Sequence, residues 1–257
     1  MVVSDEHPSC ARAPPTRSLS ARAAEIASER DDGGEIERPP SRVAHHKRVD
    51  KVSPPPAKVA FDRLLSGTFL VITLPLSLVI AAAIAIENAV CPSHRGGVFH
   101  SELRVSAGRP FRLYKFRILT PAGEQEIKAG AMPKHVENTP GNLTVVGAVL
   151  KKIGLDEMPQ FLNVLTGKMS LVGPRPKPPA EYKEEIERGH EFRAQLQAGL
   201  TGPAQVLKGT VRTGDDSVRA DLEYADLLRK GSQLQILAYD AKTLLKTGRV
   251  LLRATGE

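Results

Sequence analysis

Residues 155–176, LDEMPQFLNVLTGKMSLVGPRP, decide how this chain is read. Two adjacent carboxylates, Asp156 and Glu157, stand before a short apolar stretch with Pro159 in its first turn and Gly167 near its end, which predicts a short helix. A lone aspartate at such a position is usually an N-cap. The free N–H groups at the same place also favour anions, a phosphoryl group included. A carboxylate held there is expected to stay ionised and able to attack phosphorus. Glu157 beside it is placed to hold Mg²⁺, which commonly binds through one or two carboxylates plus substrate phosphate oxygens. The stretch closes on Gly173-Pro174-Arg175-Pro176, where each proline fixes its own φ and biases the preceding residue to extended backbone. Arg175 is thus displayed from a stiff loop, and its guanidinium suits a bidentate grip on phosphate.

Just upstream, Leu143, Val146, Val149, Leu150 and Ile153 recur at helical spacing, and Lys151 and Lys152 fall in the last turn. Cations there offset the helix dipole, so these lysines have a plain structural reading besides any ligand. Further back, residues 98–118, VFHSELRVSAGRPFRLYKFRI, read as two strands around a turn at Ser106–Pro110. On the second strand a period of two sets Lys115 and Arg117 on one face, roughly 6.6 Å apart, a spacing that suits neighbouring phosphates. A solvated charged face is the commoner meaning of such a pattern.

From Leu64 to Ile86 there are twenty-three residues without a charge. As one helix they extend about 34 Å, enough to cross the hydrocarbon core. Pro75 sits at the midpoint, where it removes the hydrogen bond to the Val71 carbonyl and kinks or breaks the helix. Thr73 and Ser77 flank it and are placed to bond the freed backbone groups. Lys47, Arg48, Lys51, Lys58 and Arg63 precede the segment, and Arg95, Arg104, Arg109, Arg112, Lys115 and Arg117 follow it. Both flanks therefore prefer the cytoplasmic side, which a re-entrant hairpin satisfies and a single span does not.

Composition narrows the partners. The net charge is +7 with aromatics at 4%, and the excess of bases lies beyond residue 56. A basic surface fits nucleic acid, anionic lipid or phosphorylated small molecules. Nucleic acid ranks lowest, because no zinc finger, helix-turn-helix or RNA-binding signature is present. Cys10 and Cys91 build neither a disulfide framework nor a metal site, and the seven histidines contain no HExxH. Walker A and GxGxxG sequences are absent as well. Residues 1–56, rich in Pro, Ser, Ala and Arg, read as a disordered tail. Residues 57–90 then form the re-entrant membrane helix and 91–257 a small mixed α/β catalytic domain. In its second half a charged helix is expected near Glu181–Leu196 and a Gly-rich loop at Ala198–Thr210. Two amphipathic helices follow, Ser217–Lys230 and Gln233–Leu252. The last carries an apolar stripe of Leu234, Leu237, Ala241, Leu244 and Leu245 with basic flanks, as expected of an interfacial helix or of ordinary core packing.

Taken in order, these residues resemble the bacterial sugar transferase family, the monotopic phosphoglycosyl transferases. The resemblance runs from Phe61-Asp62 to about Leu252 through VF…R…G.PF..YKFR at 98–117, LDEMPQ..NVL.G.MSLVGPRP at 155–176, GLTGPAQV at 199–206 and the Asp221–Tyr224 element. It implies a bacterial inner-membrane enzyme with a cytoplasmic catalytic domain. It further implies transfer of a sugar phosphate from a nucleotide diphosphosugar to polyprenyl phosphate. Asp156 would be the nucleophile, Glu157 the Mg²⁺ ligand, and Lys115, Arg117, Lys151 and Arg175 the phosphate cations. The chain departs from the family pattern at Leu74, Lys151, Gln197-Ala198 and Leu207–Thr210. Two other readings are an accessory protein that has lost catalysis, and a single-pass protein whose basic domain binds anionic lipid or a partner. A homo-oligomer is left open.

Overall fold

The computed structural model describes residues 52–206 and 214–254. Residues 1–51, nearly all of the expected tail, residues 207–213, which take in the end of the Gly-rich loop, and residues 255–257 lie outside the described residues. The fold is mixed α/β and mostly helical. It begins with helix α1, Pro56–Val90, thirty-five residues and about 52 Å long at 1.5 Å per residue. Its buried residues are Lys58, Asp62, Ser66, Ile80, Ile84 and Glu87. With the half-buried Phe69, Thr73 and Ser77 they recur at steps of three or four, so one continuous face of α1 lies on the rest of the protein. The opposite face is apolar and exposed, with Leu64, Val71, Ile72, Leu78, Val79 and Ile86 each more than 60% accessible.

This helix departs from the expected hairpin. α1 continues through Pro75 as one helix. The Thr73 hydroxyl donates to the Phe69 carbonyl (2.7 Å) and the Ser77 hydroxyl to the Thr73 carbonyl (2.9 Å), so neither serves the Val71 carbonyl that proline leaves free. Docking on both sides of the proline holds the helix together. Phe69 stacks on Phe161 at 3.9 Å on one side, and Ile80 and Ile84 pack with Phe116, Leu150 and Met158 on the other.

Strands β1, Phe99–Ser106, and β2, Arg109–Phe116, form an antiparallel hairpin in the expected place. Ala107 and Gly108 make the tight turn, both with positive φ. Helices α2, Pro121–Lys128, and α3, Pro133–Asn138, follow. Helix α4, Val145–Ile153, starts on a Thr144 cap whose hydroxyl accepts from the Gly147 N–H at 2.9 Å. It stops where Gly154 turns left-handed. Glu87, near the end of α1, adds a second cap, accepting from the N–H groups of Val145 (2.6 Å) and Val146 (3.0 Å).

A 3₁₀ turn, Leu155–Glu157, leads to α5, Gln160–Leu165, and to β3, Ser170–Val172. The expected helix near 181–196 is two helices, α6, Pro179–Glu187, and α7, Phe192–Gln195. Strand β4, Gly199–Thr201, pairs in parallel with β3, followed by α8, Pro203–Val206. The main core gathers Phe111, Leu113, Val164, Met169, Leu171, Val172 and Tyr224.

Helices α9, Gly214–Lys230, and α10, Gln233–Ala254, close the described chain. The apolar stripe of α10 is only partly covered. Over residues 233–249 Ile236, Asp240 and Thr243 are buried, while Leu234 and Leu245 are 76% and 68% exposed. The reason is polar. The Lys58 ammonium reaches Asp240 (2.5 Å) and Asp62 (3.5 Å), Tyr224 donates to Asp240 (2.8 Å), and Ser170 donates to Asp62 (2.7 Å). A buried charge needs such partners, so the network turns the Asp240 face of α10 inward.

Candidate active site

The 3₁₀ turn sets Asp156 inward and Glu157 outward. Asp156 is buried, whereas the Glu157 side chain is 45% exposed. Burial, then the neighbouring Glu157 charge, push the Asp156 carboxyl up to about 6, while Lys115 pulls it down. A helix beginning is not what governs this carboxyl, because α5 starts four residues later and takes Pro159 as its cap. A value near 6 still leaves the ionised form prevalent at neutral pH.

Lys115 projects from the end of β2 between two carboxylates, its ammonium 3.7 Å from Glu157 and 3.3 Å from Glu102. Glu102, across the hairpin on β1, also takes a 2.6 Å bond from the Arg104 guanidinium. Burial works to raise the Glu102 carboxyl, but Lys115 and Arg104 outweigh it and hold the group below its ordinary range. The Arg104 Nε is buried with no hydrogen-bond partner among the described residues. Such a donor is an available contact for an anion.

Arg175 joins the same cleft. Glu102, Arg104, Lys115, Glu157, Gln160 and Arg175 line it together. The loop bearing Arg175 is stitched to β4, with the Gly173 N–H bonded to the Thr201 carbonyl and the Gly199 N–H to the Pro174 carbonyl, both 2.9 Å. A Cβ on Gly199 would sit 2.1 Å from the Gly173 nitrogen. Only glycine permits that approach.

Two expected phosphate cations do other work here. Arg117 lies just past β2 and is 3% exposed. Its Nε donates to the Gly97 carbonyl (2.7 Å) and its two terminal nitrogens to the Leu119 carbonyl (2.8 Å) and the Asn88 side chain (2.7 Å). It ties the end of α1 to the hairpin instead of presenting a fork to ligand. Lys151 pairs with Glu137 at 2.9 Å and reaches the Glu137 carbonyl. Glu102 and Arg104 escaped the sequence reading. The period of two that paired Lys115 with Arg117 places them together on β1 as well.

Fold and cleft thus define a class. This is a mixed α/β protein with a long apolar helix laid along it and a cleft that sets Glu157 beside Arg104, Lys115 and Arg175, with Asp156 buried in the same turn as Glu157. The chain belongs to the bacterial sugar transferase family, whose sequence profile matches residues 54–253. It is 34% identical over 197 residues to the UDP-glucose:undecaprenyl-phosphate glucose-1-phosphate transferase of Escherichia coli (strain K12), covering 70% of this chain and 41% of that protein. It is 32% identical over 218 residues to the UDP-N-acetylgalactosamine-undecaprenyl-phosphate N-acetylgalactosaminephosphotransferase of Aeromonas hydrophila, covering 82% and 48%. A UDP-glucose:undecaprenyl-phosphate glucose-1-phosphate transferase of Caulobacter vibrioides is 32% identical over 200 residues, covering 74% and 70%. The chain therefore spans less than half the length of the first two relatives.

Proposed function

We propose that the protein transfers a sugar 1-phosphate from a nucleotide diphosphosugar to polyprenyl (undecaprenyl) phosphate, initiating exopolysaccharide or other surface glycan synthesis. The observation that carries this is the buried Asp156 carboxylate placed next to Glu157 and Lys115. The relatives' names, each an undecaprenyl-phosphate sugar phosphotransferase, support the substrate classes.

In the first step an Asp156 oxygen attacks the sugar-bearing phosphorus of the donor. The bond from that phosphorus to the bridging oxygen breaks, and nucleoside monophosphate leaves with the electron pair. In the second step a polyprenyl phosphate oxygen attacks the same phosphorus, the acyl phosphate bond breaks, and Asp156 returns as a carboxylate. Polyprenyl diphosphosugar is the product. Splitting the transfer lets a water-soluble donor and a lipid acceptor use one site in turn. Lys115, Arg104 and Arg175 offset charge on the phosphoryl oxygens. Two adjacent carboxylates, one of them exposed, fit Mg²⁺, with Glu157 the residue to hold it and its remaining positions left to water and phosphate oxygens. Bound there, the ion would neutralise diphosphate charge.

The face pattern of α1 supports a monotopic arrangement. Its first third docks through Lys58 and Asp62 and its last third through Ile84 and Glu87, on one and the same body. A perpendicular span would place those two docking sites on opposite sides of the bilayer. Both ends of α1 therefore belong on the cytoplasmic side of the inner membrane, with the exposed apolar face in lipid.

Purified protein in lipid nanodiscs, given polyprenyl phosphate and a panel of nucleotide sugars, tests the function by release of nucleoside monophosphate. Asp156→Asn is expected to abolish both release and any phosphosugar adduct, and Glu157→Gln to cut activity without unfolding. Near-normal turnover without Asp156 would sink the covalent route.

A further inference from the structure

Gln160 stands four residues after Asp156, and the backbone between them stays right-handed helical through Met158 and Pro159. Side chains four apart on such a turn are neighbours, with Cβ atoms roughly 5–6 Å apart. Both turn inward, Asp156 being 8% and Gln160 4% exposed. Gln160 also lines the cleft that holds Glu157, Lys115 and Arg175. Its side-chain amide bonds to no other described residue. Buried amides are normally paired. Asn163, one turn further along α5, keeps that rule, donating to the Arg112 carbonyl at 2.7 Å and accepting from the Tyr114 N–H at 3.1 Å. We infer that Gln160 is a catalytic residue whose amide donates a hydrogen bond to a non-bridging oxygen of the phosphoryl group under transfer. The inference rests on the function proposed above and names the group that meets the phosphorus Asp156 attacks.

The chemistry of the cleft selects which end of the amide is used. Phosphate oxygens of a diphosphosugar are acceptors, so a carboxamide meeting one offers its NH₂. Position selects the phosphate. Asp156 attacks the sugar-bearing phosphorus, and Gln160 is its neighbour one helical turn on, whereas Arg175 approaches from the separate loop tied to β4. The same phosphorus is attacked again in the second displacement, so one donor serves both. Being neutral, the amide adds a bond there without setting a further cation against the Asp156 carboxylate. The helix fixes this donor in advance, and a preformed donor needs no reorganisation as charge shifts on the phosphoryl oxygens. An amide buried without a protein partner is the cost of that preparation.

The test compares the full chain with Gln160→Met, both in nanodiscs. Methionine keeps the length of the side chain and removes both N–H donors. No protein group loses a partner, so the melting temperature should hold or rise. Turnover should fall about a hundredfold, the scale of losing one preformed donor at a reacting centre. The two half-reactions are then followed apart, as nucleoside monophosphate release with donor alone and as sugar phosphate transfer on adding polyprenyl phosphate. Both should slow by similar factors. A donor with sulfur in place of one non-bridging oxygen on the sugar-bearing phosphorus adds a further readout. One of its two diastereomers should slow the unmodified protein, and that extra slowing should shrink in the variant. Gln160→Glu keeps the shape but has no donor when ionised, and it should repeat the loss in both half-reactions. Slowing of one half-reaction alone, an undiminished sulfur effect, or a marked fall in melting temperature in both variants would each overturn the inference. Turnover by Gln160→Met at the rate of the unmodified protein would do so too. If the unmodified protein releases no monophosphate from any donor, the parent reading goes with this one, a result distinct from turnover indifferent to Gln160.

Discussion

Lys58 sits one turn into α1 and is 2% exposed, with Asp240 of α10 fully buried beside it and Asp62 one turn along. Replacing it with methionine keeps the length of the side chain and deletes the only cation within ion-pairing distance of these two carboxylates among the described residues. Asp240 would keep the Tyr224 hydroxyl and Asp62 the Ser170 hydroxyl. Neither contact neutralises a charge. Removing one partner from a buried ion pair costs about 3–5 kcal/mol, because the other charge stays buried. Lys58→Met should therefore lower stability by that amount in denaturant unfolding followed by circular dichroism in a fixed detergent. The double variant Lys58→Met/Asp240→Asn removes the stranded charge and leaves an acceptor for Tyr224. It should recover stability, with a coupling of about 1.5–3 kcal/mol in the double-mutant cycle. Burial raises the Asp240 carboxyl while Lys58 opposes that rise. With Lys58 gone the rise grows, so the single variant should lose most at neutral pH and less toward acid, where Asp240 binds a proton. A single-variant loss under about 0.5 kcal/mol, or a cycle without coupling, would refute the claim that this network holds α1 to α10.

Four further outcomes are expected. Arg117→Met should cost about 2–4 kcal/mol of stability by stranding two carbonyls. Arg175→Ala should leave the melting temperature nearly unchanged and lower turnover, so equal stability losses would reverse the roles given to these arginines. Burial raises the Asp221 carboxyl to about 6 against Arg193 and the Ala204 N–H. Its contribution is thus full below pH 4 and lost as pH rises through 6, about 3 kcal/mol in all. Unfolding of Asp221→Asn should be flatter across that window, and identical pH profiles would dismiss the shift. Finally, engineered cysteines near Lys58 and Ser93, with Cys10 and Cys91 removed, should both resist a membrane-impermeant reagent in intact cells. Labelling at Ser93 alone would establish a spanning helix.

What the sequence shows of this molecule follows the range of the interactions involved. The hairpin at 99–116, the helix over 145–153 and the carboxylate pair were legible because their causes are local. These are a period of two, a threonine cap with a left-handed glycine stop, and adjacency in the chain. The structural role of Arg117 was not legible, because its partners, Asn88, Gly97 and Leu119, come together only when α1 folds against the hairpin. Which face of α10 is buried was left open in the sequence for the same reason. Its leucines outrank Asp240 on any hydropathy scale, yet Lys58, 182 residues away in sequence, decides which face turns in. At Pro75 a sound local rule met a tertiary override, since packing at Phe69 and at Ile80 fixes the flanking turns.

Contacts of α1 also tie its exposed apolar face to the turn that carries Asp156. Glu87 ends the docking face of α1 and caps α4, and α4 runs through Gly154 directly into the turn that carries Asp156. Ile84, one turn before Glu87, packs in one cluster with Met158, two residues past Asp156. The apolar helix and the Asp156 carboxylate are thus joined by a short chain of buried contacts. On the proposed function, any depth and tilt that lipid imposed on the exposed face of α1 would be transmitted to the site as a rigid-body placement. Burial of polar side chains along the inner face makes that placement stiff, because sliding α1 by one turn would strand Lys58, Asp62 and Glu87 without partners. On the proposed function, a lipid phosphate at the bilayer surface would meet Asp156 at a height set by the helix, while the donor would enter from water on the side of Lys115 and Arg175.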